Sequence, residues 1–193
     1  MEPTYLHLDG GRRPAVLGLL YGNRFEQVVV DAELGDAALA KGLRLSSLPR
    51  EIEGLLHQLA SGPSTIFCFG AQTRQSLGKH AEIIQSRVFD AADAIAEAYA
   101  ARRQGGQLPR LTRAEATSYA RALGLTTTRT SSRAVNNRRL RDVREMIRRR
   151  GGHAALTGTT KGKWTKLLMA NEEECRALQI ITRELLLVMP KKQ

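Results

Sequence analysis

TYLHLDGGRRPAVLGLLYGNRFEQVVV, residues 4–30, holds three short apolar runs separated by turn-forming residues. In Thr4–Asp9, Leu6 and Leu8 alternate with Tyr5, His7 and Asp9, the period-two pattern of a strand. Asp9-Gly10-Gly11 closes that run with residues that favour turns. Ala15–Leu20 and Phe25–Val30 follow, joined by Tyr21-Gly22-Asn23-Arg24, which reads as a hairpin turn. Three successive antiparallel strands are expected.

Downstream, Leu48, Ile52, Leu55, Leu56 and Leu59 have the spacing of an amphipathic helix over 48–60, stopped by Ser61-Gly62-Pro63. Thr65–Phe69 (TIFCF) is short and continuously apolar, as a buried central strand is. A helix over 71–81, a short strand over 87–89 and a helix over 91–103 complete the order β-β-β-α-β-α-β-α. That order predicts an α/β fold with a mixed sheet and flanking helices, since parallel neighbours need a helical crossover.

The composition changes at Gln104–Pro109. Thr112-Arg113-Ala114-Glu115 has the form of a capping box, and the helix it starts is expected to end at Leu123 with Gly124 as cap. A polar loop, TTTRTSS (126–132), leads to a long helix over 134–150. Its Leu140, Val143 and Ile147 lie on one stripe, and Arg138, Arg141, Arg144 and Arg148 on another. Arg138–Asp142 and Glu145–Arg149 have the i,i+4 spacing of local ion pairs. Residues 151–166 are rich in Gly, Thr and Lys and read as a loop. A final helix is expected over 171–188, with Glu172-Glu173-Glu174 at its N-terminus. The chain divides on this basis into an α/β core (1–103), an Arg/Lys-rich helical nucleic-acid-binding part (104–166) and a C-terminal helix packing on the core (167–193).

The 193 residues carry 30 Lys/Arg against 19 Asp/Glu. Residues 1–100 have a net charge of −3 and residues 101–193 a net of +14. A block of one sign on a globular chain points to a polyanion partner, because each cation that meets a phosphate releases a condensed counterion. The expected contact residues are Arg129, Arg133, Arg138, Arg139, Arg141, Arg144, Arg148, Arg149 and Arg150, extended by Lys161, Lys163, Trp164 and Lys166. Trp164 either stacks on a base or plugs a hydrophobic gap. The aromatic content of 5% favours contacts to the phosphate backbone over stacking. A membrane surface would want Trp, Phe and Leu opposite the basic face. No apolar run is long enough to span a bilayer, and no secretory leader is visible. Cys68 and Cys175 are far apart and lack metal-ligand spacing. His7, His57, His80 and His153 lack it as well. A soluble, cytoplasmic protein is expected. The run Gly158-Thr159-Thr160-Lys161-Gly162-Lys163 lacks the spacing of a phosphate loop.

The order of elements, with Asp9 on the first strand, resembles the RNase H-like fold, and more narrowly the DnaQ-like (DEDD) 3′–5′ exonucleases, over residues 4–147. The family's first-strand Asp-x-Glu matches Asp9-Gly10-Gly11. Its second motif resembles residues 70–77, with Arg74 where a carboxylate belongs. Its last, His-x-Ala-x-x-Asp, falls on Ser132-Arg133-Ala134-Val135-Asn136-Asn137, with Ser132 for the His and Asn137 for the Asp. The resemblance implies a scaffold that grips nucleic acid and has lost hydrolysis, since two-metal cleavage needs about four carboxylates. Four functions stay open, one of them the docking of an acidic protein by the basic block. The first is a non-catalytic nucleic-acid-binding (RNA or DNA) subunit of a larger nucleoprotein assembly, with no cofactor. The second is an active Mg²⁺- or Mn²⁺-dependent nuclease using Asp9, Asp90 and Asp142, with Asp9 and Asp90 as metal ligands; Asp90 serves equally well as a helix N-cap. The third is a helix-turn-helix regulator, for which the turn at 124–132 is long.

Overall fold

The computed structural model describes residues 3–60, 65–78, 88–104, 106, 108–111, 115–126 and 132–187. The chain opens with β1 (Thr4–Asp9), β2 (Val16–Tyr21) and β3 (Arg24–Val29). A 3-10 turn (Ala32–Leu34) leads into α1 (Gly35–Leu39), then β4 (Arg44–Leu45) and α2 (Leu48–Ala60). β5 (Ile66–Cys68), α3 (Ala71–Gly78), β6 (Val88–Asp90) and α4 (Ala92–Arg103) follow. Three further helices, α5 (Ala116–Ala122), α6 (Arg133–Arg150) and α7 (Gly158–Thr182), complete the fold, with a π-helical turn at Arg183–Leu187.

One six-stranded sheet runs β4-β3-β2-β1-β5-β6. β1, β2 and β3 form the expected antiparallel meander, in the register Leu6–Leu19 and Leu19–Glu26. β5 pairs in parallel with β1, and β6 with β5, as the intervening helices require. α2 buries Leu48, Ile52, Leu55 and Leu59 in a cluster with Leu6, Leu8 and Leu17. The alternate face of β1 meets other helices: Tyr5 packs with α4, α5 and the Cys175–Leu178 turn of α7. No described helix is long and apolar enough to cross a membrane, and the cysteines Cys68 and Cys175 are both free and buried.

The approach of α7 to the sheet fixes one residue type. A Cβ on Gly18, mid-β2, would collide with the side chain of Asn171 and lie 3.0 Å from the Cys175 sulfur. Only glycine lets the helix lie so close.

Two expectations are corrected. The stretch 151–166 is not all loop: α7 begins at Gly158 and runs unbroken to Thr182, across the expected division at 166/167. Thr157 caps it, its hydroxyl accepting from the Thr160 amide at 3.3 Å. Gly162, inside the helix, costs it about 1 kcal/mol relative to alanine. Trp164, Leu167 and Leu168 outweigh that by packing with Leu140 and Val143 of α6. The capping box is not formed either, since Glu115 is extended, makes no side-chain cap, and α5 begins after it. Thr112 lies outside the described residues.

Candidate functional site

Two neighbouring features lie where α6 and α7 cross the meander. The first is a small polar cavity, with room for about one water, lined by His7, Asp9, Phe69, Glu115, Arg133, Asn136 and Glu174. Strand alternation delivers His7 and Asp9 to the face that meets α7. Asn171 on α7 donates to Asp9 Oδ2 at 3.0 Å. His7 Nε2 lies 3.5 Å from the same oxygen. Glu174, one turn along α7, accepts from the Thr117 hydroxyl at 2.5 Å. Glu115 accepts from the backbone N–H of Arg133 at 2.6 Å, at the start of α6.

The cavity sets three carboxylates, Asp9, Glu115 and Glu174, beside His7 and Arg133. Burial disfavours the His7 imidazolium, but the Asp9 carboxylate beside it, helped by Glu174, outweighs burial and raises the pKa of His7. Glu174 is also raised, chiefly by burial, against the opposing pull of His7 and Thr117. Burial likewise pushes the Cys175 thiol well above its ordinary value.

The carboxylates expected to serve as a metal site are not gathered. Asp90 is occupied at the strand-to-helix junction, its Oδ1 accepting from Gly70 N–H at 2.8 Å and Ala92 N–H at 3.1 Å, while Ala91 is the N-cap residue of α4. Asp142 pairs with Lys163 at 2.6 Å, not with Arg138. Among the described residues no group of three or more His, Cys, Asp or Glu side chains is placed to hold a metal ion. β1 also ends where the Asp-x-Glu triplet would need it to continue. Gly10 and Gly11 turn away with φ of 117° and 60°, conformations that a glutamate at position 11 would adopt only with strain. The cation in the cavity is Arg133 rather than Arg74, which is exposed on α3. The Arg133 guanidinium nitrogens lie 3.7 and 3.8 Å from where a Cβ on Gly70 would stand, just past the end of β5.

The second feature is an open groove of about 520 Å³ between the α6 and α7 backbones, lined by Val135, Arg138, Arg139, Asp142, Thr159, Gly162, Lys163 and Lys166. The lining positions repeat at i, i+3, i+4 and i+7 on both helices, so each presents one stripe. Arg139 joins the two features: it lines the groove and donates to Asn136 of the cavity at 3.2 Å. Arg138, Arg141 and Lys166 are exposed, and none of them has an ion pair among the described residues.

The remaining arginines of α6 are of another kind. Arg144 is inserted against Asp31, with contacts of 2.7 and 2.6 Å. Arg148 Nη2 donates to both Glu33 carboxylate oxygens, at 2.8 and 3.0 Å, which with Arg13 lowers the pKa of Glu33. Arg149 pairs with Glu145 at 2.6 Å, as the spacing predicts. Arg150 and Lys161 donate to backbone carbonyls of Ala155 and Ala154. Arg144 is therefore an anchor that fixes α6 to the segment after β3, and the exposed Arg148 is engaged by Glu33 rather than free for phosphate. Trp164 is a further correction: its indole is fully buried and donates to the Ala37 carbonyl at 3.1 Å, so it is the plug and cannot stack on a base. Arg129 lies outside the described residues.

Asn171, Glu174, Glu115 and Asn136 are site residues that the sequence pattern did not single out. The polar positions Asn171 and Glu174 share a stripe with Cys175 and Leu178 at i, i+3, i+4 and i+7. That stripe is a buried-face signal once the helix is known to extend past them. No protein-family model matches the chain, and no curated protein or solved structure matches it.

Proposed function

We propose that the protein binds nucleic acid through the α6–α7 hairpin, as one subunit of a nucleoprotein assembly, on an RNase H-like scaffold without a working hydrolytic centre. The observation that carries this is the groove. Four cations from two helices line it, and two of them, Arg138 and Lys166, are exposed and have no ion pair among the described residues, in a chain whose second half has a net charge of +14. Such a surface suits phosphates, with the guanidinium fork favoured for their oxygens. The scaffold assignment rests on the mixed sheet, in which an antiparallel meander is extended in parallel through helical crossovers, and on Asp9 at the end of its first strand.

Loss of hydrolysis follows from the chemistry beside Asp9. Two-metal cleavage needs several carboxylates converging on two cations. Here Asp9 shares its cavity with Arg133; the other carboxylates there are engaged, Glu174 by the Thr117 hydroxyl and Glu115 by the Arg133 backbone N–H, while Asp90 and Asp142 are held elsewhere by backbone amides and an ion pair. A guanidinium there repels a divalent ion.

The test is a set of end-labelled single- and double-stranded DNA and RNA, incubated with and without manganese and run on native and denaturing gels. Shifted, full-length strands are expected in both metal conditions. Manganese-dependent shortening that Asp9→Asn abolishes would instead make this an active nuclease.

A further inference from the structure

A groove built only for phosphates would be lined by cations and N–H donors. This one also has a carboxylate: Asp142 ends the α6 stripe, one helical turn beyond Arg138 and Arg139, and pairs with Lys163. The Asp142–Lys163 pair is about one-third exposed on both sides, and such ion pairs contribute roughly 0–1 kcal/mol to stability. Fold stability therefore gives little reason for a carboxylate that repels every phosphate brought to the groove. Lys163 occupies only Oδ2. Oδ1 has no hydrogen bond among the described residues, and the side chain borders open space.

We propose that Asp142 is a base-reading residue: it accepts a hydrogen bond from the exocyclic amino group of an unpaired base while Arg138, Arg139 and Lys166 hold the flanking phosphates. This rests on the nucleic-acid reading of the same groove. A carboxylate pairs with the N4 amino group of cytosine. Uracil presents a carbonyl oxygen at that position, which a carboxylate repels. Val135 supplies an apolar surface for the ring at one end of the groove, and Gly162, with no side chain, leaves the opposite wall open. An unpaired strand is the fitting ligand, because its bases turn freely toward a protein wall.

The test compares binding of labelled single-stranded oligo-deoxycytidine and oligo-deoxyuridine of equal length, read by fluorescence anisotropy at neutral pH and fixed salt. The wild-type protein is expected to bind the cytidine strand at least about fivefold more tightly. Asp142→Asn removes the repulsion, so it is expected to bind the uridine strand more tightly than wild type and to bring the ratio close to one. Equal wild-type affinities, or a ratio unchanged in Asp142→Asn, would overturn base reading. Arg138→Gln with Lys166→Gln separates the two levels. If it weakens both strands while the ratio never departs from one, the phosphate groove stands and base reading falls. If wild-type protein binds neither strand at low salt, both fall.

Discussion

Trp164→Ala is expected to destabilise the protein by about 3–5 kcal/mol, the range for removing a large aromatic side chain from a core. The indole belongs to a cluster that includes Leu34, Ala37, Ala38, Leu140, Val143 and Leu167, and its N–H is satisfied by Ala37. These neighbours come from the Ala32–Leu34 turn, α1, α6 and α7, so the cavity left behind would lie at the junction that holds the basic hairpin on the meander. Urea denaturation measures the loss as a fall in midpoint at similar slope. Oligonucleotide binding by the fraction still folded is expected to change little, since the indole faces away from solvent. Unchanged stability with abolished binding would mean that the indole contacts ligand.

Asp31→Ala is expected to cost a comparable amount, about 3–5 kcal/mol, because it breaks a buried ion pair by deleting one partner. Asp31 accepts from Arg13 at 2.8 Å and Arg144 at 2.7 Å, and it caps the Ala32–Leu34 turn through the Glu33 amide at 3.1 Å. Without it, the Arg144 guanidinium, whose side chain is only 13% exposed, keeps just the Arg13 carbonyl as acceptor among the described residues. Arg138→Gln on the same helix is expected to shift stability by no more than about 0.5 kcal/mol, as exposed substitutions do. Thermal melts of the two variants side by side check this contrast. Equal, small shifts would show that Arg144 is as free as Arg138.

That contrast marks where sequence reasoning stops. Arg138, Arg141, Arg144 and Arg148 share a stripe by helical periodicity, and nothing local separates them. The separation comes from Asp31 and Glu33, which lie 113 and 115 residues away in the chain. The meander was legible because Leu6/Leu8 against Tyr5/His7 is a strand pattern, and α2 because Leu48, Ile52, Leu55 and Leu59 recur at helical spacing. α1 and β4 were missed: Gly35–Leu39 is too short to show a period, and Arg44–Leu45 is a strand only by its pairing with Val28 and Val29. The first turns of α7 read as loop because Gly and Thr, which crowd residues 157–165, have low helix propensity. The helix is fixed by what Trp164 and Leu167 bury. The polar cavity needed that same helix before Asn171 and Glu174 could be placed beside Asp9.

The most direct test of the central claim is the salt dependence of binding to one labelled strand. It is measured for wild-type protein and for a variant carrying Arg138→Gln, Arg139→Gln, Lys163→Gln and Lys166→Gln. Counterion release by three to four groove cations predicts a wild-type slope of log K against log salt of about −2 to −4, falling close to zero in the variant. The same steep slope in both proteins would contradict the account and move the phosphate contacts off the α6–α7 groove.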